Sequence, residues 1–277
     1  MPKRPTEYYR PKQLDEALNL LAKPNTIPLA GGTKLLAGDV DAAVVDLQDI
    51  GLDGIERKND YLHIGAMARL NDAVKNVDGK LFTNRAETRL DQEGLFQRAL
   101  LLAGPNTYRN AATFGGVIAS RLSDSELLVA LLVFEAELTM CGPGESQMAL
   151  LEYLTREQKA TWLITEVTLS WGSGYGSSHR VARTPADYPI VSVAAWLPKG
   201  DTVRLAASGL QERPCRLENA ENCLDSEISD YAIELAAAAA KSSTNHPGDF
   251  RGDSSYRAEM ASVLTKRALK DVQVQLI

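Results

Sequence analysis

Residues 29–39 read LAGGTKLLAGD and place a double glycine between two apolar runs. Glycine is costly inside a helix or strand, and it is used where the backbone turns tightly or closely approaches another group. The preceding residues, TIPLAGG (26–32), have the pattern of a short strand that leads into the glycines. Gly31 and Gly32 therefore mark either a tight turn packed on a neighbouring strand or a loop that approaches a ligand.

A second double glycine, Gly115 and Gly116, follows the β-prone triplet ATF (112–114) about eighty residues downstream. Both loops have hydroxyl side chains beside them, Thr33 at the first and Thr113 and Ser120 at the second. Backbone N–H groups exposed by such turns form concavities that bind anions, so two such loops could hold the two phosphates of a dinucleotide. Neither loop matches the Rossmann or the P-loop motif. The spacing of the glycines therefore does not distinguish a phosphate-binding site from two tight turns between packed strands.

The composition indicates a globular protein of one or two domains. The chain has 277 residues, 44% hydrophobic and 24% charged, with a net charge of −6, which argues against nucleic acid as the main partner. No apolar run approaches the roughly 20 residues of a membrane-spanning helix, and the N-terminus lacks the apolar core of a signal peptide. We therefore expect a cytoplasmic protein. The three cysteines and three histidines lack metal-site spacing, so we expect no metal on this chain.

Periodicity predicts an alternation of helices and strands. The pattern GSGYGSS (172–178) predicts a flexible loop or a boundary, and the strands and then helices beyond it predict a small α+β unit. The predicted helices are 14–21, 95–103, 228–242 and 254–272, and the predicted strands are 26–32, 41–47, 60–65, 162–171, 188–197 and 202–210.

Five segments in order, covering nearly the whole chain, resemble one known family. They are LAGGTKLL (29–36), YRNAATFGGVIA (108–119), SELLVALL (125–132), ARTPADYPIVSVAAWL (182–197) and DFRGDSSYRAEMASVLTKRAL (249–269). The chain resembles the FAD-binding subunit of molybdenum hydroxylases, the family of the medium subunit of aerobic carbon monoxide dehydrogenase and of the flavin subunit of bacterial xanthine dehydrogenases.

The resemblance implies an α+β fold in two parts. Residues 1–173 would form an FAD-binding domain of the vanillyl-alcohol-oxidase (PCMH) type, with subdomains at about 1–57 and 58–173 and the flavin between them. Residues 174–277 would form a small C-terminal α+β domain like that of the carbon monoxide dehydrogenase flavoprotein.

The resemblance also implies cofactor-binding residues. The FAD pyrophosphate would lie between two sets, Leu29, Ala30, Gly31, Gly32, Thr33, Lys34, Leu35 and Leu36 on one side and Thr113, Phe114, Gly115, Gly116 and Val117 on the other. Ser125 and Glu126 would lie near the sugar hydroxyls, with Glu126 alternatively serving the first turn of a helix.

Four further positions match flavin contacts of relatives: Leu163 as an apolar contact, His179 or Arg180 in place of a lysine, and Tyr188 as an aromatic beside the ring. The chain departs from the family pattern at Val117, where relatives often have Asn or Ser, and at Glu126, where they have Asp.

The implied function is electron transfer, with no catalytic residue on this chain. Substrate would be oxidised at a molybdopterin centre in a large partner subunit. Electrons would then pass through [2Fe-2S] clusters of a small partner subunit to FAD, and from FAD to NAD+ or another acceptor. The complex would be a dimer of heterotrimers. Three scattered cysteines cannot supply an iron–sulfur cluster here. Two alternatives stay open: an FAD-free scaffold or assembly protein of the same fold, and a stand-alone flavin reductase.

Overall fold

The computed structural model describes residues 4–75, 91–156, 162–224 and 228–276. The chain forms two compact units, each built from several segments. The first comprises Met1–Val77, Asn106–Ser120 and Ala136–Leu169, and the second comprises Asp78–Pro105, Arg121–Glu135 and Ser170–Ile277. The domain boundary expected at residue 173 stays a prediction.

The first unit contains two sheets and short helices. Its strands are β1 (Tyr8–Tyr9), β2 (Thr26–Leu29), β3 (Ala43–Asp46), β4 (Ile55–Lys58), β5 (Tyr61–Gly65), β6 (Glu137–Cys141), β7 (Glu145–Ala149) and β8 (Leu163–Ser170). Its helices are α1 (Leu14–Leu21), α2 (Leu70–Lys75), α4 (Asn106–Arg109), α5 (Phe114–Ser120) and α7 (Leu150–Thr155). One sheet has the order β1-β3-β2 with parallel pairing, and the other has the order β4-β5-β8-β6-β7.

The parallel sheet is held in place by the amphipathic helix α1. Ala17 and Leu21 of this helix are buried against Val45 and Leu47 at the end of β3. Burying a leucine side chain stabilises a fold by roughly 1.5–3 kcal/mol, so this packing fixes the end of β2, which pairs with β3. The first double-glycine loop begins where β2 ends.

The second unit is an antiparallel sheet packed against long helices. Its strands are β9 (Gly174–Val181), β10 (Val191–Pro198), β11 (Arg204–Ser208), β12 (Cys215–Arg216), β13 (Gly248–Asp249) and β14 (Gly252–Asp253). Its helices are α3 (Gln92–Leu102), α6 (Glu126–Val133), α8 (Glu218–Glu221), α9 (Asp230–Ser242) and α10 (Ser254–Val274). The sheet order is β12-β11-β10-β9, and β10, β11, α9 and α10 bury one apolar core.

Two sequence predictions of local structure were wrong. Residues 172–178 were predicted as a loop or a boundary, but they do not form a loop: residues 174–178 contribute most of β9, which pairs with β10 over its whole length. The boundary alternative for this segment stays a prediction. The triplet ATF, predicted as a strand, supplies only a single bridge between Arg69 and Thr113, and the second double glycine lies in the first turn of α5.

Tertiary packing explains the glycines of β9. A Cβ on Gly174 would lie 2.6 Å from the Trp196 ring, and one on Gly176 would lie 3.0 Å from it. The Trp196 ring in turn meets Phe134 edge to face at 5.6 Å between centroids. These glycines therefore make room for a buried indole and do not mark a loop.

A buried arginine holds the start of α10. The side chain of Arg257 is fully buried and donates hydrogen bonds to the carbonyl oxygens of Ile190 at 2.6 Å, Gly209 at 2.9 Å and Gly252 at 3.1 Å. It also pairs with Asp249 at 2.7 Å. Burial raises the pKa of Asp249, but hydrogen bonds from Arg251 and Arg257 outweigh it and hold that pKa well below its usual range. The segment DFRGDSSYR therefore has a structural role in the second unit.

Within the described ranges, no helix is long and apolar enough to span a bilayer. The same part of the chain contains no group of three or more acidic, histidine or cysteine side chains placed to hold a metal ion.

Candidate functional site

The first unit contains a cavity of about 420 Å³ at the end of β2, within the usual size range of ligand pockets. Ten of the residues predicted to bind the cofactor line it together: Ala30, Gly31, Gly32, Thr33, Lys34, Leu35, Thr113, Gly115, Gly116 and Leu163. The structure thus brings the two double-glycine loops and the start of β8 to one place.

Four other predicted residues of the same segments do not line this cavity. Leu29, Phe114 and Val117 are buried in the protein, and the side chain of Leu36 is exposed. Residues 30–35 line the cavity without interruption, whereas Leu29, Phe114 and Val117 pack into the protein interior.

The first glycine of each pair is required for packing. A Cβ on Gly31 would lie 1.7 Å from the carbonyl oxygen of Ala111, and a Cβ on Gly115 would lie 2.8 Å from the Cβ of Ala66. Real side chains do not occupy such distances, so each of these glycines lets two backbone segments touch. Gly31 thus approaches the segment that precedes the second loop.

The second glycine of each pair has a different role. Gly32 has φ of +69°, a left-handed conformation that costs other residues about 1 kcal/mol or more. A Cβ on Gly116 would meet only the Thr113 hydroxyl at 3.0 Å and the Ala30 methyl group at 3.8 Å. Gly32 therefore turns the chain at the cavity edge, and Gly116 leaves space in the cavity wall.

The two loops differ in their backbone N–H groups. In the part of the chain that the structure describes, the N–H groups of Gly31, Gly32 and Thr33 have no hydrogen-bond acceptor. In the second loop, the N–H groups of residues 114–116 all donate within the protein, to two carbonyl oxygens and to the Thr113 hydroxyl. Consecutive unpaired N–H groups in a turn attract anions. The first loop can therefore donate hydrogen bonds to an anion, whereas the second loop forms part of the cavity wall and has no free donors at residues 114–116.

Part of the cavity wall is apolar. Trp162, Leu163 and Ile164 at the start of β8 belong to this apolar wall, together with Leu47 and Met67. A site that combines backbone donors with an apolar wall suits a ligand with a charged group and a ring system.

Sequence reasoning missed several lining residues. These are Pro28, Leu47, Ala66, Met67, Ala119, Tyr153, Trp162 and Ile164, whereas the hydroxyl of Ser120 was noted beside the second double glycine. Ala119 follows Gly116 by three positions on α5, so helical periodicity could have found it. Residues from distant elements, such as Tyr153 on α7, carry no local signal.

The remaining predicted residues belong to the second unit. Ser125 is the N-cap of α6, where its hydroxyl accepts a hydrogen bond from the N–H of Leu128 at 3.3 Å. Glu126 follows in the first turn, buried, with Oε2 3.1 Å from Nη1 of Arg180. That contact is an ion pair without hydrogen-bond geometry. Burial raises the pKa of Glu126 to about 7, although Arg180 and Arg98 oppose the shift.

His179 and Tyr188 have protein surroundings of their own. Nε2 of His179 lies 2.8 Å from Oδ2 of Asp271 on α10, and the Ser177 hydroxyl donates to the same oxygen at 2.6 Å. Tyr188 is 38% exposed, and burial of part of its ring raises its pKa. The flavin contacts expected of the residues in the second unit stay predictions.

Unpaired backbone donors, walls in which glycines leave space, and an apolar lining are the features expected of a protein that binds a nucleotide-type cofactor. Residues 4–170 match the family model of the FAD binding domain in molybdopterin dehydrogenase, and residues 178–272 match that of the CO dehydrogenase flavoprotein C-terminal domain. The chain therefore belongs to the family of FAD-binding flavoprotein subunits of molybdopterin dehydrogenases. The resemblance and the fold class expected from the sequence are confirmed, and the cofactor of the family is FAD.

The chain is similar over almost its full length to known proteins of this kind. It is 28% identical over 286 residues to the glyceraldehyde dehydrogenase medium chain of Sulfolobus acidocaldarius, with 96% of this chain and 97% of that protein covered. It is 28% identical over 285 residues to subunit alpha of the 6-hydroxypseudooxynicotine dehydrogenase complex of Paenarthrobacter nicotinovorans, with 95% and 93% covered.

The fold is similar to that of a solved carbon monoxide dehydrogenase. A structure of this enzyme from Hydrogenophaga pseudoflava, which lacks the Mo-pyranopterin moiety of its cofactor, matches with a TM-score of 0.86 over 99% of each chain at 24% identity. At that identity the match supports the fold and no detail of the site.

Proposed function

We propose that this chain is the FAD-carrying, electron-transfer subunit of a multi-subunit molybdenum hydroxylase. It takes electrons from [2Fe-2S] clusters of a small partner subunit and passes them to NAD+ or another acceptor, while a large molybdopterin subunit oxidises the substrate. The names of the relatives, a medium chain and a complex subunit, support the partners. We further propose a dimer of heterotrimers in the cytoplasm.

One observation carries the assignment of FAD to this chain: the unpaired N–H groups of Gly31, Gly32 and Thr33 at the edge of the cavity. Charge-assisted hydrogen bonds from backbone N–H groups to an anion are stronger than neutral ones. In the proposed site these donors hold the FAD pyrophosphate, and Lys34 adds a positive charge at the same edge.

The apolar wall has a separate task. Trp162, Leu163 and Ile164 exclude water from the ring-binding part of the site. Bound FAD supplies the redox chemistry, since it accepts one or two electrons. The protein residues bind the cofactor, orient it and limit its access to solvent.

A matched pair of variants in the first loop tests the proposal. Gly32 has φ of +69°, whereas Gly38 has extended backbone and open space around its Cβ position. We expect Gly32→Val to remain folded by circular dichroism but to purify without flavin, and Gly38→Val to keep one FAD per chain. A colourless wild-type chain that cannot be loaded with FAD would favour the FAD-free scaffold or assembly protein. Normal FAD content in folded Gly32→Val would refute the assignment of this loop to the FAD pyrophosphate.

The partner assignment has its own test. Co-purification of the native chain with a large molybdenum protein and a small iron–sulfur protein is expected, and the chain alone should not hydroxylate any substrate. A monomeric flavoprotein with full reductase activity in cell extract would instead favour the stand-alone flavin reductase.

A further inference from the structure

The outer face of α9 carries a seam of exposed side chains that is largely apolar. Its members recur at intervals of four, three and four residues along the helix and are Tyr231, Leu235, Ala238 and Ser242. Tyr231 is 74% exposed and Leu235 is 43% exposed. The opposite face of α9 is buried in the apolar core of the second unit. Packing on that core therefore accounts for one apolar stripe of the helix but not for the seam.

The spacing of the seam is that of helix-to-helix packing. Side chains that alternate at intervals of three and four residues form the contact stripe of two helices that cross at a small angle. The hydroxyl group of Ser242 donates a hydrogen bond to the carbonyl oxygen of Ala238 at 3.2 Å, so a second helix can cover it without leaving it unpaired. The seam therefore suits a helix as its occupant.

The order of large and small side chains suits a second copy of the same helix. In an antiparallel pair of α9 helices, the register that places Tyr231 against Ser242 of the copy also places Leu235 against Ala238 of the copy. Each large side chain then packs against a small one, which lets the two helices interdigitate. In a parallel pair each side chain would instead face its own counterpart, so that tyrosine would meet tyrosine.

The charges beside the seam match under the same two-fold symmetry. Glu234 and Lys241 are exposed on one flank of the seam. Each forms an ion pair with α10, Glu234 with Lys266 and Lys241 with Glu259. In the antiparallel pair, Glu234 lies close to Lys241 of the copy, and the symmetry repeats this contact at the other end. Opposite charges on the flanks of a helix pair favour that partner and that orientation.

We propose that this chain self-associates through α9, with the seams of two copies packed as an antiparallel helix pair. The 13 residues of α9 span about 20 Å, and one face of such a helix is smaller than the roughly 800 Å² per partner of a standard interface. We therefore expect a weak dimer, with a Kd on the order of 10 µM. The proposal does not rest on the function proposed above, because it concerns contact of the chain with its own copy.

Sedimentation velocity of the full chain, over concentrations that reach about tenfold above this Kd, measures the self-association. The wild type should shift from monomer to dimer. Leu235→Glu should dimerise at least about tenfold more weakly, because each copy then places a carboxylate in the seam. Tyr61→Glu is the matched control and should dimerise like the wild type, since Tyr61 is 51% exposed but lies on β5.

Three outcomes of this experiment would overturn the proposal. The first is a wild-type chain that stays monomeric over the whole concentration range. The second is a dimer that Leu235→Glu leaves intact, which would place the contact elsewhere on the chain. The third is a monomeric wild type whose Leu235→Glu variant no longer assembles with a large or small partner subunit, because the seam would then bind that subunit and not a copy.

A charge exchange tests the antiparallel register. Glu234→Lys places like charges against each other at both ends of the pair, and so does Lys241→Glu, so each variant alone should dimerise about tenfold more weakly than the wild type. An equimolar mixture of the two variants restores opposite charges at both ends and should form a mixed dimer with nearly wild-type affinity. The ion pairs with α10 are disturbed equally in the separate and mixed samples, so their loss cannot produce this recovery. A mixture that associates no more strongly than the separate variants would refute the antiparallel pair.

Discussion

The buried carboxyl group of Glu126 should make the protein less stable as pH rises through neutrality. Its Oε2 lies 3.1 Å from the Arg180 guanidinium, yet the residue is only 9% exposed and burial dominates. The result is a pKa raised from 4.5 to about 7. Because a raised pKa means that the folded state prefers the protonated form, the neutral carboxyl stabilises the fold at low pH and that stabilisation is lost as pH rises through 7.

The magnitude follows from the two pKa values. Each pH unit between them is worth about 1.4 kcal/mol of unfolding free energy. From below pH 4.5 to above pH 7, ionisation of Glu126 therefore costs about 3 kcal/mol. Glutamine has nearly the same shape, keeps an oxygen atom close to Arg180, and does not ionise. Glu126→Gln should gain about 2–3 kcal/mol relative to the wild type as pH is raised from 5 to 8.

Urea unfolding at several pH values between 5 and 8, followed by circular dichroism, measures this difference. The control is Glu218→Gln, because Glu218 is exposed on α8. The pH profile of this variant should run parallel to that of the wild type. The reasoning about Glu126 is refuted if the Glu126→Gln profile also runs parallel to the wild type over this range.

Three further predictions concern Gly31, Arg257 and Cys215. Gly31→Ala places a Cβ 1.7 Å from the Ala111 carbonyl oxygen, so it should lower the stability of the first unit by about 3 kcal/mol or more in urea unfolding, and wild-type stability would contradict this. Arg257→Met leaves the carbonyl oxygens of Ile190 and Gly209 without their buried donor and should destabilise the second unit by about 3–5 kcal/mol, a loss that a midpoint equal to that of the wild type would disprove. Burial raises the pKa of Cys215 to about 11, so its thiol should react far more slowly with a disulfide reagent at pH 8 in the folded chain than in urea, and equal rates would exclude the effect.

Strong periodic patterns predicted much of the fold. The apolar, β-prone runs SVAAWL and RLAAS and the helical pattern over residues 254–272 predict two strands and a helix, and the structure has strands and a helix there. The predictions failed where glycine serves tertiary packing. Gly174 and Gly176 read as loop residues, but they lie under the Trp196 ring in a paired strand.

The candidate site was predictable only in part. Sequence indicated that both double glycines face one site, and the cavity does contain all four. It left open whether the glycines pack on neighbouring segments or approach a ligand, and it could not identify the packing partners, because the contacts of Gly31 with Ala111 and of Gly115 with Ala66 depend on distant segments. Nor did it indicate that only the first loop leaves its N–H groups unpaired, which follows from hydrogen bonds that form on folding.

Amide hydrogen exchange of the first loop, measured by mass spectrometry with and without saturating FAD, tests the central claim most directly. Since the N–H groups of Gly31, Gly32 and Thr33 lack acceptors within the described residues, they should exchange rapidly in the apo-protein. The account predicts strong protection of a peptide covering residues 30–36 when FAD binds, with little change in the second loop at residues 114–116, whose N–H groups are already paired. Unchanged exchange of the 30–36 peptide at full FAD occupancy would contradict it.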